Sequence, residues 1–166
     1  MIAVSLTTLD DTRQVADALA SALSDGDIIE LRGSIGAGKT TLVSMLVHIL
    51  GSGEVARSPT YTVAHEYQLG DGRTCSHLDL YRHEGAMSEE AWGDIEPAFD
   101  AAVVCVEWPG ESRAWYANRP IWSVHLELAA PERRVAWLVA PTAHQTHEVA
   151  ETLARHRRGT RGATHP

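Results

Sequence analysis

Apolar residues recur with two different periods along this chain, and each change of period marks an element. Residues 1–6 (Met-Ile-Ala-Val-Ser-Leu) read as a short strand, and the cluster from Thr7 to Asp11 supplies N-cap side chains for a helix. In that helix Val15, Ala16, Leu19, Ala20 and Leu23 form one apolar stripe. Asp25-Gly26 interrupts it, and the stretch from Asp27 to Leu31 is a strand. A second helical stripe, Leu42, Met45, Leu46, Ile49 and Leu50, ends at Gly51, which suits a helix C-cap. Strand character returns from Tyr61 to Gln68 and from Arg73 to Leu80, and Gly70-Asp71-Gly72 between them predicts an antiparallel hairpin.

The second half follows the same logic. A helix is expected from Ser88 to Ala98, made irregular by Gly93 and Pro97. Ala101 to Val106 is a continuous apolar run of the kind buried on both faces, so it belongs in the middle of a sheet. Residues 121–129 and 134–140 are two strands around a Pro131-Glu132 turn, and Thr146 to His156 is a terminal helix. The length suits one domain, over 1–156, followed by a basic, flexible tail over 157–166. Arg155, Arg157, Arg158 and Arg161 read as a solvated, frayed end, the alternative being a tail that docks a partner or touches RNA.

Between the first two helical patterns stands Gly33-Ser34-Ile35-Gly36-Ala37-Gly38-Lys39-Thr40, followed by Thr41, a complete Walker A element after a strand and before a helix. Glycines let the chain turn so that amide N–H groups point at a phosphate, and the helix start adds its positive dipole end. Lys39 reaches the β/γ oxygens and the Thr40 hydroxyl can bind Mg²⁺. The predicted fold is therefore α/β: a single-domain P-loop NTPase with a central mixed β-sheet flanked by helices.

Walker A names no substrate, so a second set of residues is needed. Glu107 follows the buried strand, where a nucleotide-binding sheet presents a carboxylate to Mg²⁺; it can equally cap the following turn. In His77-Leu78-Asp79-Leu80-Tyr81-Arg82 strict alternation puts His77, Asp79 and Tyr81 on one face, with Leu78 and Leu80 in the core. Asp79 can orient an attacking water or hold Mg²⁺ through water, or this face is an ordinary solvated strand surface. A His-x-Asp metal site lacks a nearby third ligand. Ser58-Pro59-Thr60 lies where switch segments supply a hydroxyl to the γ-phosphate, and by itself is a turn with a proline. Trp108-Pro109 is a core or rim aromatic made notable by its neighbour Glu107.

Charge and composition narrow the classes. A formal net charge of -8 argues against broad nucleic-acid binding, which needs clustered Lys and Arg. No run of about 18 apolar residues and no basic-then-apolar N-terminus is present, so the expectation is a cytoplasmic protein with no membrane span. Cys75 and Cys105 match no metal pattern and are expected as buried free thiols.

Taken in order, Gly33 to Thr41, Ser-Pro-Thr-Tyr-Thr-Val (Ser58 to Val63), His-Glu-Tyr (His65 to Tyr67), His-Leu-Asp-Leu-Tyr-Arg (His77 to Arg82) and Val-Glu-Trp-Pro (Val106 to Pro109) resemble the bacterial TsaE family. These are small ATPases of tRNA threonylcarbamoyladenosine biosynthesis. The resemblance implies ATP and Mg²⁺ as cofactors, with Thr40 and Glu107 holding the metal, Asp79 beside the γ-phosphate, and Trp108 in the functional motif. It implies that the adenine lies near the start of the first helix, around Asp10, with Arg133 of the Arg133-Arg134 turn. It also implies TsaB and TsaD as partners, tRNA touched only indirectly, and hydrolysis to ADP and phosphate, weak alone and stimulated by partners, serving modification of adenosine 37. Ser58, Thr60 and Trp108 are the expected switch or partner contacts. The segment around Trp92-Gly93-Asp94 is less acidic and leucine-rich than the family's helix, and the arginine-rich end is no family motif. Two other readings compete: a small-molecule kinase, for which no arginine-bearing lid insertion is evident, and a nucleotide-dependent switch that only binds partners, which as a GTPase would need an Asn-Lys-x-Asp segment that the sequence lacks.

Overall fold

The computed structural model describes residues 1–57, 59, 63–81 and 87–162, the last three as backbone. Seven strands form one sheet in the order β1-β7-β6-β2-β5-β4-β3. They are β1 (Ile2–Leu6), β2 (Asp27–Arg32), β3 (Ala64–Gln68), β4 (Thr74–Asp79), β5 (Val103–Glu107), β6 (Ile121–Ala130) and β7 (Arg133–Val139). β4, β5, β2 and β6 run parallel, with β3 added antiparallel at one edge and β7 then β1 at the other. The sheet is thus mixed, as the sequence predicts. β5 lies between β2 and β4, and its five residues are buried throughout, which accounts for its unbroken apolar run.

Helices cover both faces. α1 (Leu9–Ala22), α2 (Lys39–Ile49) and α4 (Ala143–Gly162) pack on one face over Val15, Leu19, Ile29, Leu31, Leu42, Leu46 and Val149. On the other, α3 (Glu89–Ile95) and two 3-10 helices, Glu96–Asp100 and Gly110–Trp115, enclose Ile28, Leu78, Leu80, Trp92, Phe99, Val104, Val106 and Tyr116. Alternation along the parallel strands feeds the two cores separately: Ile29 and Leu31 turn one way, Ile28 the other. Cys75 and Cys105 are free and buried.

Two helices differ from their sequence outlines. The segment expected as one irregular helix tolerates Gly93 and changes at Pro97, which sits in the first turn of the 3-10 helix. α4 starts at Ala143 because the Thr142 hydroxyl accepts the Gln145 amide at 3.2 Å. It continues to Gly162, six residues past the expected end at His156. Arginine is a good helix former and no proline intervenes, so the basic run extends the helix. No helix among the described residues is long and apolar enough to cross a membrane.

Candidate functional site

Because β2, β4 and β5 are parallel, their carboxyl ends meet at one edge of the sheet, where Asp79 stands in register with Glu107 and Glu107 with Leu31. The phosphate loop leaves β2 at that edge. Gly33 sits at φ 139°, and a Cβ there would lie 2.1 Å from the Leu126 carbonyl oxygen of β6, so the loop is threaded through a gap that only glycine fits. Gly38 caps α2 at φ 104° and brings no side-chain hydrogen bond to the helix start, which leaves the positive end of α2 for an anion.

Lys39 opens α2 and is 5% exposed. Its Nζ donates to the carbonyl oxygens of Gly33 at 3.0 Å and Ser34 at 3.1 Å, and lies 4.0 Å from the centroid of the Trp108 ring. Burial pushes the ammonium below the usual lysine range, opposed in part by the Glu107 and Asp79 carboxylates. Trp108 follows β5 at φ 56°, a left-handed conformation that a bulky residue seldom takes, and its ring meets Tyr81 edge-on at 5.0 Å.

The Thr40 hydroxyl donates to Glu107 Oε1 at 2.7 Å, and His77 Nε2 stands 3.0 Å from the same oxygen. Asp79 closes the group from the end of β4, where Oδ1 accepts the Tyr81 amide at 3.1 Å. A cleft of about 400 Å³ lies over these residues, lined by Ile35, Lys39, Thr40, Asp79, Glu107 and Trp108 among others. A second depression of about 380 Å³ shares Gly36, Gly38 and Thr41 with it and runs on between Thr8, Leu9, Thr12, Leu126 and Arg134.

The structure therefore brings Gly33, Ser34, Ile35, Gly36, Ala37, Gly38, Lys39, Thr40, Thr41, Asp79, Glu107 and Trp108 to one region. Glu107 is the last residue of β5 rather than the first beyond it, and is 2% exposed. Asp10 and Arg133 line neither depression, although their chain neighbours Leu9, Glu132 and Arg134 do. Asp10 points to the far side of α1, where it accepts from Gln14 at 2.8 Å and lines a separate depression with Arg13 and Asp17. The depression beside the start of α1 is lined by Thr8, the exposed N-cap, and by Thr12, which is buried on the same stripe as Val15 and Ala16. On β7 Arg133 is exposed, whereas Arg134 shares the inward parity of Ala136 and Leu138 and donates to the Gly36 carbonyl at 3.4 Å. That parity, readable from alternation, is what turns Arg134 rather than Arg133 toward the loop. Alternation puts His77 on the face of Asp79, but it is fully buried against Glu107 and not part of a solvated face. Ser58 and Thr60 lie outside the described residues.

The family model described as threonylcarbamoyl adenosine biosynthesis protein TsaE matches residues 6–135, most of the chain. The tRNA threonylcarbamoyladenosine biosynthesis protein TsaE of Streptomyces coelicolor is 38% identical over 102 residues, 61% of this chain and 68% of that one. That of Aquifex aeolicus is 36% identical over 107 residues, 63% of this chain and 74% of that one, and that of Bacillus subtilis 27% over 148 residues, 89% and 90%. Among solved structures, Bacillus subtilis YdiB superposes with a TM-score of 0.67, covering 94% of this chain and 95% of that one at 23% identity, which shows the same fold.

Proposed function

Because this chain belongs to the TsaE family of threonylcarbamoyl adenosine biosynthesis proteins, we propose that it is the family's ATPase: it binds ATP with Mg²⁺ in the cleft between α2 and the ends of β4 and β5 and hydrolyses it to ADP and phosphate. It does so as an accessory to TsaB and TsaD in modifying tRNA position 37, touching tRNA only indirectly. The observation that carries the reading is the 2.7 Å bond from Thr40 to Glu107, which joins the phosphate loop to the carboxyl end of a central strand.

The donor set fits the ion. Hydroxyl and carboxylate oxygens suit Mg²⁺, and among the described residues no cluster of three or more His, Cys, Asp or Glu stands ready to hold a metal alone. Thr40 and Glu107 would hold the ion, and it would neutralise charge on the phosphate oxygens. Lys39 would exchange the Gly33 and Ser34 carbonyls for phosphate oxygens, moving from under Trp108. Asp79, beside Glu107 at the mouth of the cleft, would orient the attacking water. The depression between Thr8, Thr12 and Arg134 would take the base. Ile35 and Tyr81 at the rim are 74% and 43% exposed, and would offer TsaB and TsaD an apolar surface beside the nucleotide.

Lys39→Ala tests the site. It should keep the fold and lose most affinity for ATP in a calorimetric titration, since amides alone do not replace a cation at the β/γ phosphates. Unchanged affinity in the folded variant would remove the site.

A further inference from the structure

Glu107 is gripped from two directions, and only one belongs to the phosphate loop. Thr40 approaches Oε1 from the cleft at 2.7 Å, while His77 Nε2 reaches the same oxygen at 3.0 Å from inside the sheet. The side chains of His77 and Glu107 are 0% and 3% exposed. His77 lies two register pairs inward of the Asp79–Glu107 pair, opposite Cys105, and does not line the cleft. To hold Mg²⁺ Glu107 must be a carboxylate, which only accepts, and on that reading Nε2 is the nitrogen that carries the hydrogen. The other nitrogen, Nδ1, is buried with no hydrogen-bond partner among the described residues.

A buried polar atom left unsatisfied costs stability, and an aliphatic residue at this strand position would avoid the cost. The ring gives Glu107 its N–H in return. We infer that His77 is a positioning residue: it fixes the Glu107 carboxylate, which in turn holds the Thr40 hydroxyl hydrogen and leaves the hydroxyl oxygen directed to the metal side. The inference rests on reading Thr40 and Glu107 as the pair that holds Mg²⁺, and partners of this kind behind metal ligands typically matter about 10–100-fold in metal affinity.

Methionine and glutamine have nearly the same shape, and only glutamine keeps an N–H donor at this reach, so His77→Met and His77→Gln separate donor from packing. A non-hydrolysable ATP analogue is titrated calorimetrically into the parent and both variants, with Mg²⁺ and with EDTA, alongside thermal melts. The parent should gain affinity on adding Mg²⁺. His77→Met should match the parent in EDTA and lose about tenfold or more of that gain, while His77→Gln keeps most of it. A full Mg²⁺ gain in His77→Met, or an equal loss with and without Mg²⁺, would overturn the inference in favour of a packing role. Should His77→Met fail to fold, folded His77→Gln decides alone: a retained gain supports the inference and a lost one overturns it. A parent that binds no analogue would reject the ATP reading itself, before any variant is considered. A parent that binds it equally in Mg²⁺ and EDTA would reject the metal pair and the role of His77 with it.

Discussion

Gly33 shows how little freedom the phosphate loop has. The missing Cβ is what lets the Leu126 carbonyl of β6 lie against the loop, and an added methyl at 2.1 Å meets backbone, which cannot swing aside. Gly33→Ala should therefore cost about 2–3 kcal/mol in chemical denaturation and lower nucleotide affinity with it. A variant as stable as the parent would mean that the loop and β6 can part freely. At this scale the Walker A letters identified the residues that line the cradle, because their chemistry is local. Glu107 was legible too, since it ends an apolar run. The bond from His77 to Glu107 was not, because it depends on how β4 and β5 are staggered, which spacing within either strand does not contain. Arg134 and Arg133 differ only by the parity of one strand, and one position of error reverses the face.

The elements are held by local chemistry of the kind a sequence states openly. Thr8 is the N-cap of α1, its hydroxyl accepting the Asp11 amide while Asp11 accepts the Thr8 amide, a closed capping box. Burial raises the Asp11 carboxyl, but the bonds from Thr7 and Thr8 outweigh it and hold it below the usual carboxylate range. A carboxyl whose folded pKa is depressed contributes stability above its unfolded pKa, and that contribution fades as pH falls through the folded value. Thr8→Ala should thus cost about 1 kcal/mol at neutral pH. The deficit of Asp11→Ala against the parent should shrink once pH drops well below about 4. Denaturation curves at the two pH values check both, and a deficit that stays constant into acid would show that the carboxylate is not what closes the box. Helix ends away from such caps were less legible: α4 runs to Gly162 because arginines propagate a helix without announcing it by an apolar stripe.

Across the whole molecule, the parallel strands make the cleft by ending together, and of the antiparallel additions β7 reaches the phosphate loop through Arg134. The α/β class and the mixed sheet followed from the order of elements, but the placing of β6 beside β2 across from β5 did not, since crossover connections leave no mark in hydrophobic pattern. On the proposed ATPase reading, with Lys39 turned onto its own loop under Trp108 and Ile35 and Tyr81 exposed at the rim, the isolated protein is expected to be a poor catalyst. A docked surface would supply the rest. The most direct test is steady-state phosphate release from ATP and Mg²⁺ by this protein alone, with TsaB, with TsaD and with both, using folded Glu107→Ala as the reference. Slow release alone, faster release with both partners, and none above background in Glu107→Ala are the predicted results. Release that is indifferent to both partners and equal in Glu107→Ala would contradict the account.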